Sequence, residues 1–176
     1  MSKAVMLSIR PKWCEKIVNG EKTIEVRKTR PKMNTPFKCY IYCTLPKYPH
    51  EDFIATNYPR PQFYGGGKVV GEFTCDRIDR LAPANEPYGI YEIDDDYVLQ
   101  TCLENGALWD YGHGTPLYGW HISDPCIYDA PRELSEFERP YECNECDAKW
   151  ATECNACHEE GKINRPPQSW CYVEEG

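Results

Sequence analysis

The sequence has little of what an exported or membrane-embedded protein needs. No apolar run approaches the roughly 20 residues of a membrane-spanning helix. Ala4-Val5-Met6-Leu7 is too short for the apolar core of a secretory signal, and polar residues follow it. Positive charge is also in deficit: 20 Lys and Arg face 28 Asp and Glu, a net charge of −8. That balance argues against a protein that coats nucleic acid generally. Gly65-Gly66-Gly67-Lys68 lacks the spacing, and the Ser or Thr after lysine, of a phosphate-binding loop, and reads as a turn into a strand. At 176 residues there is room for one domain of ordinary size and hardly for two.

Cysteine, by contrast, is plentiful. With no export signal, eleven cysteines point to reduced thiols and metal rather than a disulfide framework, and to the cytoplasm. The charge is also uneven. Residues 1–38 hold ten Lys and Arg against three Glu, a local +7 that leaves −15 for the remainder. A basic N-terminal face on an acidic body suits local contact with a phosphate or another anion; a solvated basic surface accounts for it equally well.

Along the chain, residues 4–9 (AVMLSI) read as a buried strand. Pro11 suits the first position of a helix, where its missing N–H costs nothing. Trp13, Ile17 and Val18 give that helix one apolar face, and Asn19-Gly20 ends it. Residues 37–44 (FKCYIYCT), 69–78 (VVGEFTCDRI), 118–122 running toward 127–128, and 170–173 (WCYV) read as further strands. Asp94 caps a helix with Asp95-Asp96 in its first turn; Tyr97, Val98 and Cys102 form its inner stripe and Asn105-Gly106 ends it. Between residues 45 and 68 lies a long Pro- and Tyr-rich loop, whose Tyr48, Tyr58, Phe63 and Tyr64 either stack on a base or anchor the loop. His121, a lone strand histidine, reads as structural. The pattern is α+β: a small mixed β-barrel with flanking helices.

Two motifs carry chemistry. Cys143-x-x-Cys146 and Cys154-x-x-Cys157 fall within fifteen residues. Each C-x-x-C turn presents two sulfurs to one ion, so the four thiolates suit tetrahedral, structural zinc with no open coordination position. His158 is an alternative fourth ligand, and free thiols are the plain alternative. Cys154 to His158 also matches a c-type haem pattern, which the missing export signal disfavours. The cysteines make residues 140–162 a zinc-knuckle insertion before the closing strand of a single domain, 1–176.

The second motif is Asn19-Gly20-Glu21-Lys22-Thr23-Ile24-Glu25-Val26-Arg27-Lys28. A strand of period two follows the glycine, with Ile24 and Val26 on one face and Thr23, Glu25 and Arg27 on the other. Two residues along a strand is roughly 7 Å, so Glu25 and Arg27 share a face and can address one bound group. Otherwise they form an exposed ion pair of little energetic weight.

Leu7-Ser8-Ile9-Arg10-Pro11, Trp13, and Ile17-Val18 through Arg27 resemble the ASCH domain, a member of the PUA-like superfamily of β-barrels. The likeness is close over residues 3–44 and looser over 68–135 and 166–174. There Tyr118-Gly119-Trp120-His121 and Pro166 to Tyr172 are similar to bacterial and phage ASCH proteins. The resemblance implies a cleft between the first helix and the barrel that handles RNA or a modified nucleobase. Ser8, Arg10, Trp13, Arg27 and Trp170 are the ligand-binding candidates: the arginines and Lys22 meet phosphate or carbonyl, and Trp13 or Trp170 stacks on a base. A buried glutamate accepts from an exocyclic amine. Some ASCH proteins remove the acetyl group of acetylated cytidine, with lysine at the position of Lys22 and threonine at that of Glu25. The lysine is present here and the threonine is not. A hydrolase version of this chain, acting on an acylated nucleoside or RNA, has Glu25 activating water and Lys22 stabilising the oxyanion. A third reading is a zinc-stabilised protein-interaction module that uses the acidic surface.

Overall fold

The computed structural model describes residues 3–55, 63–83, 90–140 and 161–175. Its elements are, in order, β1 (Lys3–Ile9), α1 (Pro11–Val18), β2 (Ile24–Arg27), β3 (Phe37–Cys43), β4 (Ile54–Ala55), β5 (Phe63–Tyr64), β6 (Lys68–Leu81), α2 (Asp95–Thr101), α3 (Asn105–Gly112), β7 (Leu117–Arg132) and β8 (Trp170–Glu174). The fold is α+β. Among the described residues no helix is long and apolar enough to cross a membrane.

The chain forms two compact units, each assembled from separated stretches. The first comprises Met1–Glu15, Lys38–Phe73 and Cys126–Gly176; the second comprises Lys16–Phe37 and Thr74–Pro125. In the first unit, β1 lies between β3, parallel to it from Val5↔Cys39 to Ile9↔Cys43, and β8, antiparallel from Lys3↔Glu174 to Leu7↔Trp170. A strand with neighbours on both sides and both faces covered reads as a continuous apolar run. Accordingly Ala4, Val5, Met6 and Leu7 are all fully buried. Ala4 and Met6, on one face of the strand, form a core with Tyr40, Tyr42, Val69, Phe137, Ile163 and Val173. In the second unit β2 pairs antiparallel with β7, from Ile24↔His121 to Arg27↔Tyr118. Its own core is Val26, Leu81, Tyr91, Leu108 and Leu117, with Tyr97 and Tyr111 packed against it. Strands β6 and β7 run through both units, and the six larger strands hydrogen-bond in the order β2-β7-β6-β3-β1-β8. That is a mixed, open order; the pairings among the described residues do not extend to closure as a barrel.

Three local expectations need correction. Val18, assigned to the apolar face of α1, is exposed, and Cys14 takes its place beside Ile17. The helix is only eight residues long, so one residue of phase changes which side chains face inward. Asn105-Gly106 does not end α2. That helix stops earlier, at Cys102 in the left-handed region (φ 53°), and Asn105 instead opens α3 with Glu104 at its N-cap. The fully buried residue at the end of α2 is Thr101 rather than Cys102. The N-cap of α2 is where the sequence puts it: Asp94 Oδ1 accepts from Tyr97 N at 2.7 Å. The turn after α1 likewise uses Gly20 at φ 73°, a backbone region that costs glycine nothing.

Candidate functional site

The segment from Gly20 to Thr23 is pinned along its backbone before any side chain is considered. Glu21 N and Lys22 N both donate to Lys16 O, Thr23 N donates to Gln100 O, and Thr23 O accepts from Ile122 N. Period-two alternation begins at Ile24, and antiparallel register then places Glu25 opposite Trp120 and Arg27 opposite Tyr118. Directly opposed residues share a face.

There three of the motif's five charged residues, Lys22, Glu25 and Arg27, come together. Arg27 Nη1 lies 2.7 Å from Glu25 Oε1, and Lys22 Nζ lies 3.3 Å from Glu25 Oε2. The side chains of Lys22, Glu25 and Arg27 are 1%, 5% and 11% exposed. The exposed surface pair expected of a polar-faced strand is therefore a buried triad, with two cations around one carboxylate. Lys22 Nζ also donates to Thr101 O at 2.5 Å. Thr101 is the last residue of α2, so the ammonium meets the negative end of the helix as well as the carboxylate. No sequence signal ties Lys22 to α2, because the two are 79 positions apart. The Lys22–Glu25 approach is an ion pair without hydrogen-bond geometry: Glu25 Oε2 is buried and accepts no hydrogen bond among the described residues.

Trp120, opposite Glu25, is fully buried and packs edge-on against Phe37, with ring centroids 5.8 Å apart. Next to it, Gly119 leaves room for Tyr97; a Cβ there would stand 1.9 Å from the phenol oxygen. Burial and the neighbouring Asp79 carboxylate push the Tyr97 phenol well above its ordinary value. His121 belongs to a polar cluster: Nε2 is 2.6 Å from Asp79 Oδ2 and 3.2 Å from Arg77 Nε. One acceptor and one donor face the same nitrogen, so either neutral tautomer finds a partner.

The other candidates lie in the first unit. Ser8 is committed to main chain, its hydroxyl donating to Pro167 O and its N–H to Ser169 O. Trp13 is half-buried, with Lys12 Nζ 4.2 Å from its ring centroid. Trp170 packs edge-on against Tyr172 at 5.4 Å. Arg10 is exposed and lines a groove with residues of α1 and of the loop after β3. Cys143, Cys146, Cys154, Cys157 and His158 lie outside the described residues, as does Tyr58. Among the described residues no group of three or more His, Cys, Asp or Glu is placed to hold a metal ion; seven cysteines, Cys14, Cys39, Cys43, Cys75, Cys102, Cys126 and Cys171, are in no disulfide.

A family model, the ASCH domain, matches residues 7–79, a span that includes the whole triad. Among solved structures, ASCH from Zymomonas mobilis is similar, with TM-score 0.58 and 19% identity over 98% of this chain and 88% of that one. A tyrosine-to-phenylalanine variant of the same Zymomonas mobilis protein matches at TM-score 0.58 and 19% identity, covering 99% and 92%. A serine-to-alanine variant of it gives TM-score 0.58 and 18% identity, covering 98% and 89%. At such identity the likeness shows a shared ASCH-type fold. Among curated proteins none matches this sequence.

Proposed function

We propose, from the ASCH domain match over residues 7–79 and the fold that goes with it, that this protein binds RNA or a modified nucleobase. Arg27 and Glu25 are the recognition pair, and Lys22 is the group that holds the carboxylate in place. The observation that carries the reading is Glu25 Oε2: buried, charged, and without a hydrogen bond among the described residues. Such an oxygen is costly to leave unsatisfied. An exocyclic amine or ring N–H of a base supplies the donor it lacks, and selects the base edge that carries that donor. Arg27, the most exposed of the three, then addresses a carbonyl or phosphate oxygen.

The hydrolase version asks Glu25 to activate water and Lys22 to stabilise an oxyanion. Here Lys22 already donates to Thr101 O and faces Glu25, which commits the group the hydrolase needs as oxyanion stabiliser to the fold, so binding through Glu25 Oε2 and Arg27 is the reading favoured. The proposal includes structural zinc on Cys143, Cys146, Cys154 and Cys157, resting on their spacing alone; metal analysis of protein purified without chelator is expected to give about one zinc per chain. None would sink that part.

Binding is tested by titrating the protein with a panel of short RNAs and modified nucleosides, read by fluorescence anisotropy or NMR. Saturable binding is expected for at least one member, weakened about tenfold or more by Arg27→Ala, as removal of one charge-assisted hydrogen bond does. No binding across the panel, or binding indifferent to Arg27, refutes the proposal. Turnover of an acylated nucleoside that Lys22→Ala abolishes would replace it with the hydrolase.

A further inference from the structure

We propose that the hairpin of β4 and β5, with the loop that leads into it, is where a second copy of this chain docks, edge to edge along β5. The residues that carry the inference are Leu45, Lys47, Tyr48, Glu51, Ile54 and Tyr64. The occupant is the same protein rather than a nucleic acid, so the inference is independent of the reading of the Lys22–Glu25–Arg27 triad.

The apolar surface comes first. Leu45, Tyr48, Ile54 and Tyr64 are 74%, 48%, 43% and 66% exposed, and they are four of the seven exposed large hydrophobics among the described residues. Exposed hydrophobics scattered singly are ordinary, whereas a concentration of them marks an interaction surface. Ile54 and Tyr64 are directly opposed across the hairpin and so share a face. Leu45 lies against the turn that follows β5, its Cδ2 3.1 Å from where a Cβ on Gly67 would stand. The apolar side chains of the loop therefore extend the surface on the β5 side.

This surface is held in place from beneath. Phe53 is buried, and Gly65 N–H donates to its carbonyl at 2.8 Å. Gly66 N–H donates to Asp52 Oδ1 at 2.8 Å, and Gly67 N–H to Cys43 O at 2.9 Å. A Cβ on Gly66 would stand 2.7 Å from Asp52 Oδ1 and 2.8 Å from Pro46 Cδ, so the loop closes directly on the turn. The fold thus fixes side chains that it leaves in water. Groups ordered in advance lose less entropy when they bind.

The backbone supplies a second complement. The bond from Gly65 N–H to Phe53 O makes those two a hydrogen-bonded pair, and pairs alternate along an antiparallel ladder. Ile54 and Tyr64, the next pair, are then non-hydrogen-bonded, with their N–H and C=O groups pointing to the outer edges of the hairpin. The two strands form a sheet of their own, apart from the six-stranded one. A lone two-stranded sheet has little stability, and its edges are templates for another strand. Such an edge is complementary to itself. Turned by a two-fold axis, Tyr64 N–H and C=O of one β5 meet those of the partner's β5, and two hairpins join as four antiparallel strands.

Charge decides which occupant fits. The chain carries −8 overall, yet residues 44–55 and 63–67 hold only Lys47 against Glu51 and Asp52, and Asp52 is engaged by Gly66 N–H. Lys47 and Glu51 are exposed, and neither is in an ion pair among the described residues. Lys47 Nζ instead rests 5.2 Å from the Tyr48 ring centroid. A surface of one sign repels its own copy and selects a partner of the other sign. A surface with one charge of each sign complements itself across a two-fold axis, Lys47 of each copy meeting the other's Glu51.

The test is sedimentation velocity of the full chain from about 1 µM to about 1 mM, with a reductant present because Cys126 is exposed. A monomer–dimer equilibrium is expected, weak because the docking surface is small. Tyr64→Lys and Ile54→Lys, which place charge on the edge, are each expected to weaken dimerisation by about tenfold or more. Both positions are exposed, so the melting temperature should hold. Lys47→Glu and Glu51→Lys should each weaken it alone. An equimolar mixture of those two variants should associate more tightly than either does by itself, because every contact between them then joins opposite charges. The proposal is overturned by open-ended oligomers in place of a closed dimer, by a dimer indifferent to Tyr64→Lys and Ile54→Lys, or by a mixture no tighter than its components. A chain that stays monomeric at every concentration also overturns it, whatever other extended segment the edge then accepts.

Discussion

Replacing Glu25 by leucine removes the single carboxylate between two cations and leaves the volume nearly filled. Lys22 Nζ, 1% exposed, would keep the Thr101 carbonyl at 2.5 Å but lose the carboxylate that faces it. Removing one partner of a buried ion pair costs about 3–5 kcal/mol, most of it the uncompensated charge that stays behind. Arg27 contributes less to that cost, because at 11% exposure it reaches solvent. In a chain of this size 1 kcal/mol moves the melting temperature by about 2–4 °C, so Glu25→Leu is expected to lower it by about 6–20 °C. Lys22→Met should cost less, since Glu25 keeps Arg27 at 2.7 Å. The double variant Lys22→Met with Glu25→Leu should cost less than the two singles summed, by about 0.5–3 kcal/mol, the usual coupling between touching groups. Urea unfolding, followed by tryptophan fluorescence and circular dichroism, measures all three. A Glu25→Leu loss below about 1 kcal/mol, or strict additivity, would show that the triad is not a coupled buried cluster.

Two further outcomes follow from packing and titration. Gly119→Ala drives a Cβ to 1.9 Å from the Tyr97 phenol oxygen and is expected to cost about 1–3 kcal/mol or more, as overpacking does; Tyr97→Phe in the same chain should recover part of the loss, and no recovery would place the strain elsewhere. Tyr128 donates to Glu72 Oε2 at 2.7 Å, and burial followed by that bond raises its phenol well above the ordinary value. The unfolded phenol releases its proton near pH 10 while the folded one retains it. This contribution is therefore fully present below about pH 10 and is lost as pH rises further. Tyr128→Phe should flatten the alkaline decline measured by urea midpoints between about pH 9 and 11, in proportion to the share that Tyr42, Tyr91 and Tyr97, also raised by burial, do not carry; an unchanged slope would refute the assignment.

Much of the local structure is readable because it is written in neighbouring residues. The AVML run of β1, Pro11 at the start of α1, Gly20 in the left-handed region and Asp94 at the cap of α2 each act within a few positions of themselves. Misreadings arise where a local signal has two meanings. Asn105-Gly106 resembles a helix stop, yet the chain has already turned at Cys102, and Asn105 opens α3. Alternation from Ile24 assigns Glu25 and Arg27 to one face correctly, but alternation cannot say whether that face is wet or dry. Covering it is a matter of what packs there, and Trp120, Phe37 and the end of α2 all come from outside the motif.

The buried strand β1, the helix start at Pro11, the cap at Asp94, and the gathering of Lys22, Glu25 and Arg27 into one short segment follow from the order of residues alone. So does an ASCH-type signature, which the family match supports over residues 7–79. The folded chain was needed to show that these charges are buried, that Lys22 closes the end of α2, and that Arg10 faces a groove shared with Lys47 and Glu51. Range separates the two sets. Backbone preference and periodicity act over a few residues, whereas desolvation, which turns a weak surface pair into a costly buried triad, depends on every segment that folds over it.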